Sequence, residues 1–173
     1  MNQLNEISNM GFIVTWKMMC IGLYGEQYIP AQLSRTELFE YLDGLLCRES
    51  EQTENIIAMI CERDNELQTY KLLHSLASDD GSTLSIQLQK WRAYLLKCTL
   101  DNISSDYLQG LLELMEFWVT VGIPKDCPHM FPGRNNTLLA QEYFTQSMYD
   151  ILVEKNKRWL KTEIAYILSI ENF

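Results

Sequence analysis

The sequence predicts an all-α protein: a single compact domain over residues 1–173, built from about seven to nine amphipathic helices and arranged partly as an array of helical hairpins. Three observations predict this. Apolar residues recur three and four apart through most of the chain, the spacing that lines one face of an α-helix. Residues that cap or stop helices stand at the ends of those runs. No segment alternates apolar and polar residues over a strand's length with β-branched enrichment. A chain of 173 residues can bury a sizeable core as one domain. With 47% hydrophobic and 21% charged residues and no low-complexity tract, it does not read as disordered.

Taken in order, the first helix is expected between Phe12 and Gly25, with Thr15 as cap and Trp16, Met19, Cys20 and Leu23 on its apolar side. Tyr28, Ile29 and Pro30 form an extended connection, because a residue before proline avoids the helical region. Ser34-Arg35-Thr36-Glu37 fits a capping box. The helix it opens places Leu38, Phe39, Leu42, Leu45 and Leu46 on one arc, with Glu37, Glu40 and Asp43 opposite. Thr53 caps the next helix, whose apolar side is Ile56, Ile57, Met59 and Ile60. Asp64 caps another, with Leu67, Tyr70, Leu73 and Leu76 at helical spacing. These two read as a tight helical hairpin, ended by the turn residues Ser78 to Ser82.

The stretch from Leu88 to Pro132 organises the rest, with two of the four tryptophans and three of the four prolines. Its first helix carries Leu84, Leu88, Trp91, Leu95 and Cys98. Ser104 or Ser105 starts the second, with Asp106 in its first turn and a broad arc of Leu108, Leu111, Leu112, Met115, Trp118 and Val119. Gly122 and Pro124 stop it. A proline-rich loop follows to Asn136. The last helical region runs from about Thr137 to Ile170, with Asn156 either breaking it or lying inside one long bent helix.

No catalytic motif stands in the chain. Phosphate loops of the GxxxxGK[ST] or GxGxxG kind are absent, as is a GxSxG elbow. The two histidines are His74, on a helix beside a core stripe, and His129, in Cys127-Pro128-His129. A Cys-x-His pair could supply two zinc ligands, but no second pair follows at metal-site spacing. Cys127 as a nucleophile would need its neighbour as base, and side chains diverge around the intervening proline. The four tryptophans fall on apolar faces and read as core. No metal or cofactor is therefore expected.

Five cysteines, an odd count without a CxxC pair, suit a reducing compartment. The segment before the first apolar run carries Glu6 and no base, unlike an export signal, and no uncharged stretch is long enough to span a bilayer. A cytoplasmic location is expected. The net charge of −9 repels nucleic acid and anionic membranes, so neither is an expected partner.

That charge is local. Between Glu37 and Asp80 stand eleven acids, namely Glu37, Glu40, Asp43, Glu49, Glu51, Glu54, Glu62, Asp64, Glu66, Asp79 and Asp80, against Arg48, Arg63 and Lys71. The segment nets −8, while the rest of the chain holds twelve acids and eleven bases. A solvated face would suffice to explain it. The sharper reading is a docking surface for a basic protein, formed by Glu37 to Glu66.

Two blocks also carry a resemblance. Thr15-Trp16-Lys17 followed by Gly22-Leu23 forms the first; Lys90-Trp91-Arg92-Ala93-Tyr94-Leu95-Leu96, then Gly122-Ile123-Pro124-Lys125-Asp126 and Met130-Phe131-Pro132, form the second. In order and approximate spacing they resemble a bacterial family known only as a domain of unknown function, family 2247. The chain departs from that pattern at Trp118-Val119-Thr120-Val121, where Tyr-Ala-Asp-Phe is expected, and in a shortened loop between Asp126 and Pro132. The resemblance brings no catalytic residue. It implies a small bacterial cytosolic protein, of a kind often found beside secreted toxins as an immunity partner. The expected function is a non-enzymatic immunity protein that neutralises a basic toxin by stoichiometric binding. The alternative is a helical scaffold or regulatory subunit without a toxin partner.

Overall fold

The computed structural model describes residues 2–47, 53–133 and 138–171. Among the described residues are nine helices: α1 (Gln3–Asn9), α2 (Trp16–Tyr24), α3 (Arg35–Leu46), α4 (Thr53–Cys61), α5 (Glu66–Asp79), α6 (Leu84–Asp101), α7 (Tyr107–Thr120), α8 (Ala140–Tyr143) and α9 (Gln146–Glu171). An isolated bridge between Glu26 and Ile29 is the only β-type pairing among them. The all-α class follows directly from the periodicity.

α6 is the hub, packed against α2, α7 and α9. It runs antiparallel to α9: Lys90, near its start, pairs with Glu171 at the end of α9, and the Tyr149 hydroxyl, near the start of α9, donates to the Ser104 carbonyl at 2.8 Å. α7 runs parallel to α9, and Trp118 Nε1 donates to Asn156 Oδ1 at 2.7 Å. On the other side, Trp91 Nε1 donates to the Met18 carbonyl of α2 at 2.9 Å. Gly22 permits this approach, because a Cβ there would overlap the Trp91 ring and Leu33. α2 in turn packs on α5, and α3, α4 and α5 form the layer beyond it.

The caps explain most element starts. Thr15 accepts from the Met18 N–H, and Ser34 and Glu37 form the full capping box. Gly122 turns the chain after α7 with φ of +71°, against the Tyr28 ring. Four expectations need correction. α1 stands ahead of the first helix that the periodicity predicts; Asn2 caps it by accepting from the Leu4 N–H. The cap of α5 is Asn65 rather than Asp64, and that of α7 is Asp106 rather than Ser104 or Ser105. Thr53 is the first residue of α4 rather than its cap. The last helical region divides at Phe144 and Thr145, where the Thr145 hydroxyl accepts from Met148 N at 3.2 Å. Asn156 breaks nothing; it lies wholly buried inside α9, and its amide also donates to the Leu152 carbonyl. Thr137 lies outside the described residues.

The apolar arcs are wider than the buried faces. Ile57, Leu67 and Tyr70, and on α7 Leu108, Leu112 and Val119, are exposed. A helix at the edge of the domain has a neighbour on one side alone, so a row beside the core row stays in water.

Candidate partner-binding surface on α3, α4 and α5

The nine predicted acids do not act alike. Glu37 belongs to its own helix start: its carboxylate accepts from Ser34 N at 2.9 Å, and these Ser34 contacts hold its carboxyl below the usual range. Asp43 accepts from Arg63 at 2.5 Å. Glu66 lies 3.8 Å from Arg35 with its side chain mostly in solvent. Glu62 is half-buried, and Glu40, Glu54 and Asp64 are exposed. Glu49 and Glu51 lie outside the described residues.

Two arginines tie this layer together. Arg35 donates to the Arg63 carbonyl at 2.6 Å and to the Thr69 hydroxyl at 3.4 Å, joining the first turn of α3 to the turn before α5. Thr69 passes the link on, donating to the Glu62 carbonyl at 2.8 Å. The Arg63 guanidinium lies 5.1 Å from the centre of the Phe39 ring. A shallow hollow of about 370 Å³ between them is lined by Arg35, Thr36, Phe39, Glu40, Asp43 and Arg63. At the far end, Lys17 faces Asp80 at 3.4 Å, and Asp80 also accepts from Ser82 N and Lys17 N. Burial pushes the Asp80 carboxyl up, but these hydrogen bonds outweigh it and leave it below the usual range. Two bases from outside the acidic segment, Lys17 and Arg35, therefore reduce its charge in the fold. Among the described residues of this set, Glu40, Glu54 and Asp64 are exposed, and Glu66 is loosely held.

Among the described residues, the thiols and imidazoles elsewhere are placed as follows. Cys127 Sγ points to the His129 backbone carbonyl at 4.0 Å, not to the imidazole. The His129 ring is buried and its Nε2 lies 2.8 Å from the Tyr143 hydroxyl, while Nδ1 has no hydrogen-bond partner. Burial drops the imidazole to about 4 and raises the Tyr143 hydroxyl to about 12, so both are neutral at pH 7. Cys20 Sγ meets His74 Nε2 at 3.6 Å, a contact that the sequence did not suggest because 54 positions separate the two. Burial pushes that thiol up to about 11, followed in effect by Glu26, so it stays protonated and is a poor nucleophile. Arg92 is buried with its guanidinium 5.0 Å from the centre of the Tyr28 ring, and its Nε has no hydrogen-bond partner. Glu163 stands within electrostatic reach of it; burial and then Asp126 push that carboxyl up, with Arg92 opposing. Among the described residues no cluster of His, Cys, Asp or Glu has the arrangement of a metal site, and no helix is long and apolar enough to cross a membrane.

The model of a bacterial family described as an uncharacterized protein conserved in bacteria (DUF2247) matches residues 4–164. The chain belongs to this family. No curated protein and no solved structure matches it.

In this DUF2247 member the first block and the block from Lys90 to Leu96 supply core residues, while Lys125 and Asp126 of the later block are exposed. Trp16 and Trp91 are buried. Lys17 holds Asp80 and also donates to the Ser82 carbonyl. Lys90 is wholly buried, paired with Glu171 and donating to the Ile13 carbonyl at 2.7 Å and to Gln87 at 3.2 Å. Tyr94 donates to Glu6 at 2.9 Å. Asp126 accepts from Trp159 Nε1 at 2.7 Å.

Proposed function

We propose that this DUF2247 protein is a non-enzymatic binding protein of the immunity type, which neutralises a basic toxin by occupying it stoichiometrically through the outer face of α3, α4 and α5. The observation that carries this reading is the exposure of Glu40, Glu54, Asp64 and Glu66 on one outer layer, together with exposed Leu46, Ile57, Leu67 and Tyr70. A solvated face needs only charge. Large apolar side chains set among carboxylates are what a protein interface adds, with charge steering the encounter and apolar area holding the complex.

The test is recovery of partners on the tagged protein from its native host, washed at low and at high salt. A basic protein retained at low salt and weakened at high salt is the expected result. Reversal of charge at Glu40 and Glu54 to lysine should lower both affinity and its salt dependence; unchanged binding would place the interface elsewhere.

A second reading, a scaffold subunit, draws on the exposed row of Leu108, Leu112 and Val119 on α7. Recovery of a constitutive complex indifferent to salt, and lost on Leu112→Glu, would favour it.

A further inference from the structure

We propose that Tyr24, Tyr70 and His74 form the anchor point of this surface and receive a single arginine side chain of the basic partner. The inference rests on the binding reading above and adds where the partner's anchoring residue sits. The three rings meet where the end of α2 touches α5. Tyr24 and Tyr70 are edge-to-face with centroids 5.1 Å apart, Tyr24 and His74 are stacked at 5.5 Å, and Tyr70 and His74 are tilted at 4.2 Å. The core row of α5 is Thr69, Leu73 and Ala77. Leu67, Tyr70 and His74 fall beside it at i, i+3 and i+7, a second row turned to water. Tyr70 is 46% exposed and Leu67 60%.

Rings grouped in this way are held before any partner arrives. Cys20 lies against His74 Nε2, and Tyr24 is half-buried beneath its two neighbours. Little rotamer freedom remains to be lost on binding, the condition under which aromatic residues dominate an interface. Their π faces attract a cation, and a planar guanidinium stacks on a ring better than a compact ammonium does. Exposed carboxylates beside them favour the same sign. Glu66, one turn before Tyr70, acts electrostatically on Tyr24, where Arg35 opposes it, and Glu26 acts on Cys20, the contact of His74. Glu66 is tied only by Arg35 at 3.8 Å and has its side chain 82% exposed, so it can turn to an incoming guanidinium. Lys71 and Arg35 are the opposing bases; Lys71 follows Tyr70 directly and therefore projects about 100° around the helix from it.

Fluorescence anisotropy with labelled deca-arginine and deca-lysine peptides tests this on the whole protein. The wild type should bind deca-arginine several-fold more tightly than deca-lysine. Tyr70→Leu should weaken deca-arginine about three- to tenfold, erase the preference over deca-lysine, and leave the salt dependence unchanged, since no charge is altered. Tyr70→Phe should keep the wild-type behaviour. Wild-type affinity and preference in Tyr70→Leu and in Tyr24→Leu would overturn the anchor while leaving the acidic surface standing. Absence of binding by the wild type at low salt would overturn both.

Discussion

The ammonium of Lys90, wholly buried in α6, is paired with the carboxylate of Glu171 on the last turn of α9. Glu171 also accepts from the Ile13 N–H at 3.2 Å, and Lys90 donates to the carbonyl of the same Ile13. One buried ion pair thus joins the segment before α2, the middle of the chain and the end of α9. A buried pair contributes little by being formed, but breaking it strands a charge out of water.

Glu171→Ala should therefore destabilise the protein by about 3–5 kcal/mol. The double variant Lys90→Met with Glu171→Leu should recover most of the loss. Urea unfolding followed by circular dichroism measures both. A cost below roughly 1 kcal/mol would show that water reaches Lys90 in the folded state.

Gly22→Ala should cost about 1–3 kcal/mol despite alanine's better helix propensity, because the new methyl meets the Trp91 ring and Leu33. Gly44→Ala, inside α3 with nothing near the added methyl, should instead stabilise by roughly 0.5–1 kcal/mol. Thermal melts of the two variants should move in opposite directions. A shift of the same sign in both would refute the close packing of α2 on α6.

His129 sets a pH dependence of stability. Its folded value is lowered from 6.5 to about 4 by burial, so the unfolded chain takes up the proton first as pH falls. The contribution is fully present above about pH 6.5, declines between 6.5 and 4, and is lost below that, up to roughly 3 kcal/mol in all. His129→Phe should remove this part of the pH slope, which unfolding midpoints between pH 4 and 7 would read. Parallel curves for variant and wild type would mean that the imidazole titrates freely in the fold.

How much of this could be read from the residues depended on how local the signal was. Thr15 and Ser34 act within one turn, so the starts of α2 and α3 were plain. At α5, Asp64 and Asn65 are adjacent and both able to cap, and only the fold decides that Asn65 accepts from the Gln68 N–H. α1 has just Leu4 and Ile7 as buried residues in seven, too few to set a period. The acidity of the segment from Glu37 to Asp80 was visible as composition. Its partial neutralisation was not, because Lys17 and Arg35 arrive from outside it through the packing of α2 and the turn before α5. The same limit hid the group of Tyr24, Tyr70 and His74. Periodicity marks an apolar arc, but which row of that arc meets a neighbour and which meets water is a property of the assembled layers.

The link between Lys90 and Glu171 has a consequence in time. Roughly eighty residues of chain separate the two. At about 5–20 residues per second, the ribosome takes about 4–16 s to supply the carboxylate after adding the lysine. Through that interval α2 and α6 can already meet through Trp91 and Gly22, but the ammonium must stay hydrated, and α6 must keep that side open to water. Until the last turn of α9 is present, the ammonium has no carboxylate to take the place of its water, so burial of that side of α6 belongs to the late part of folding.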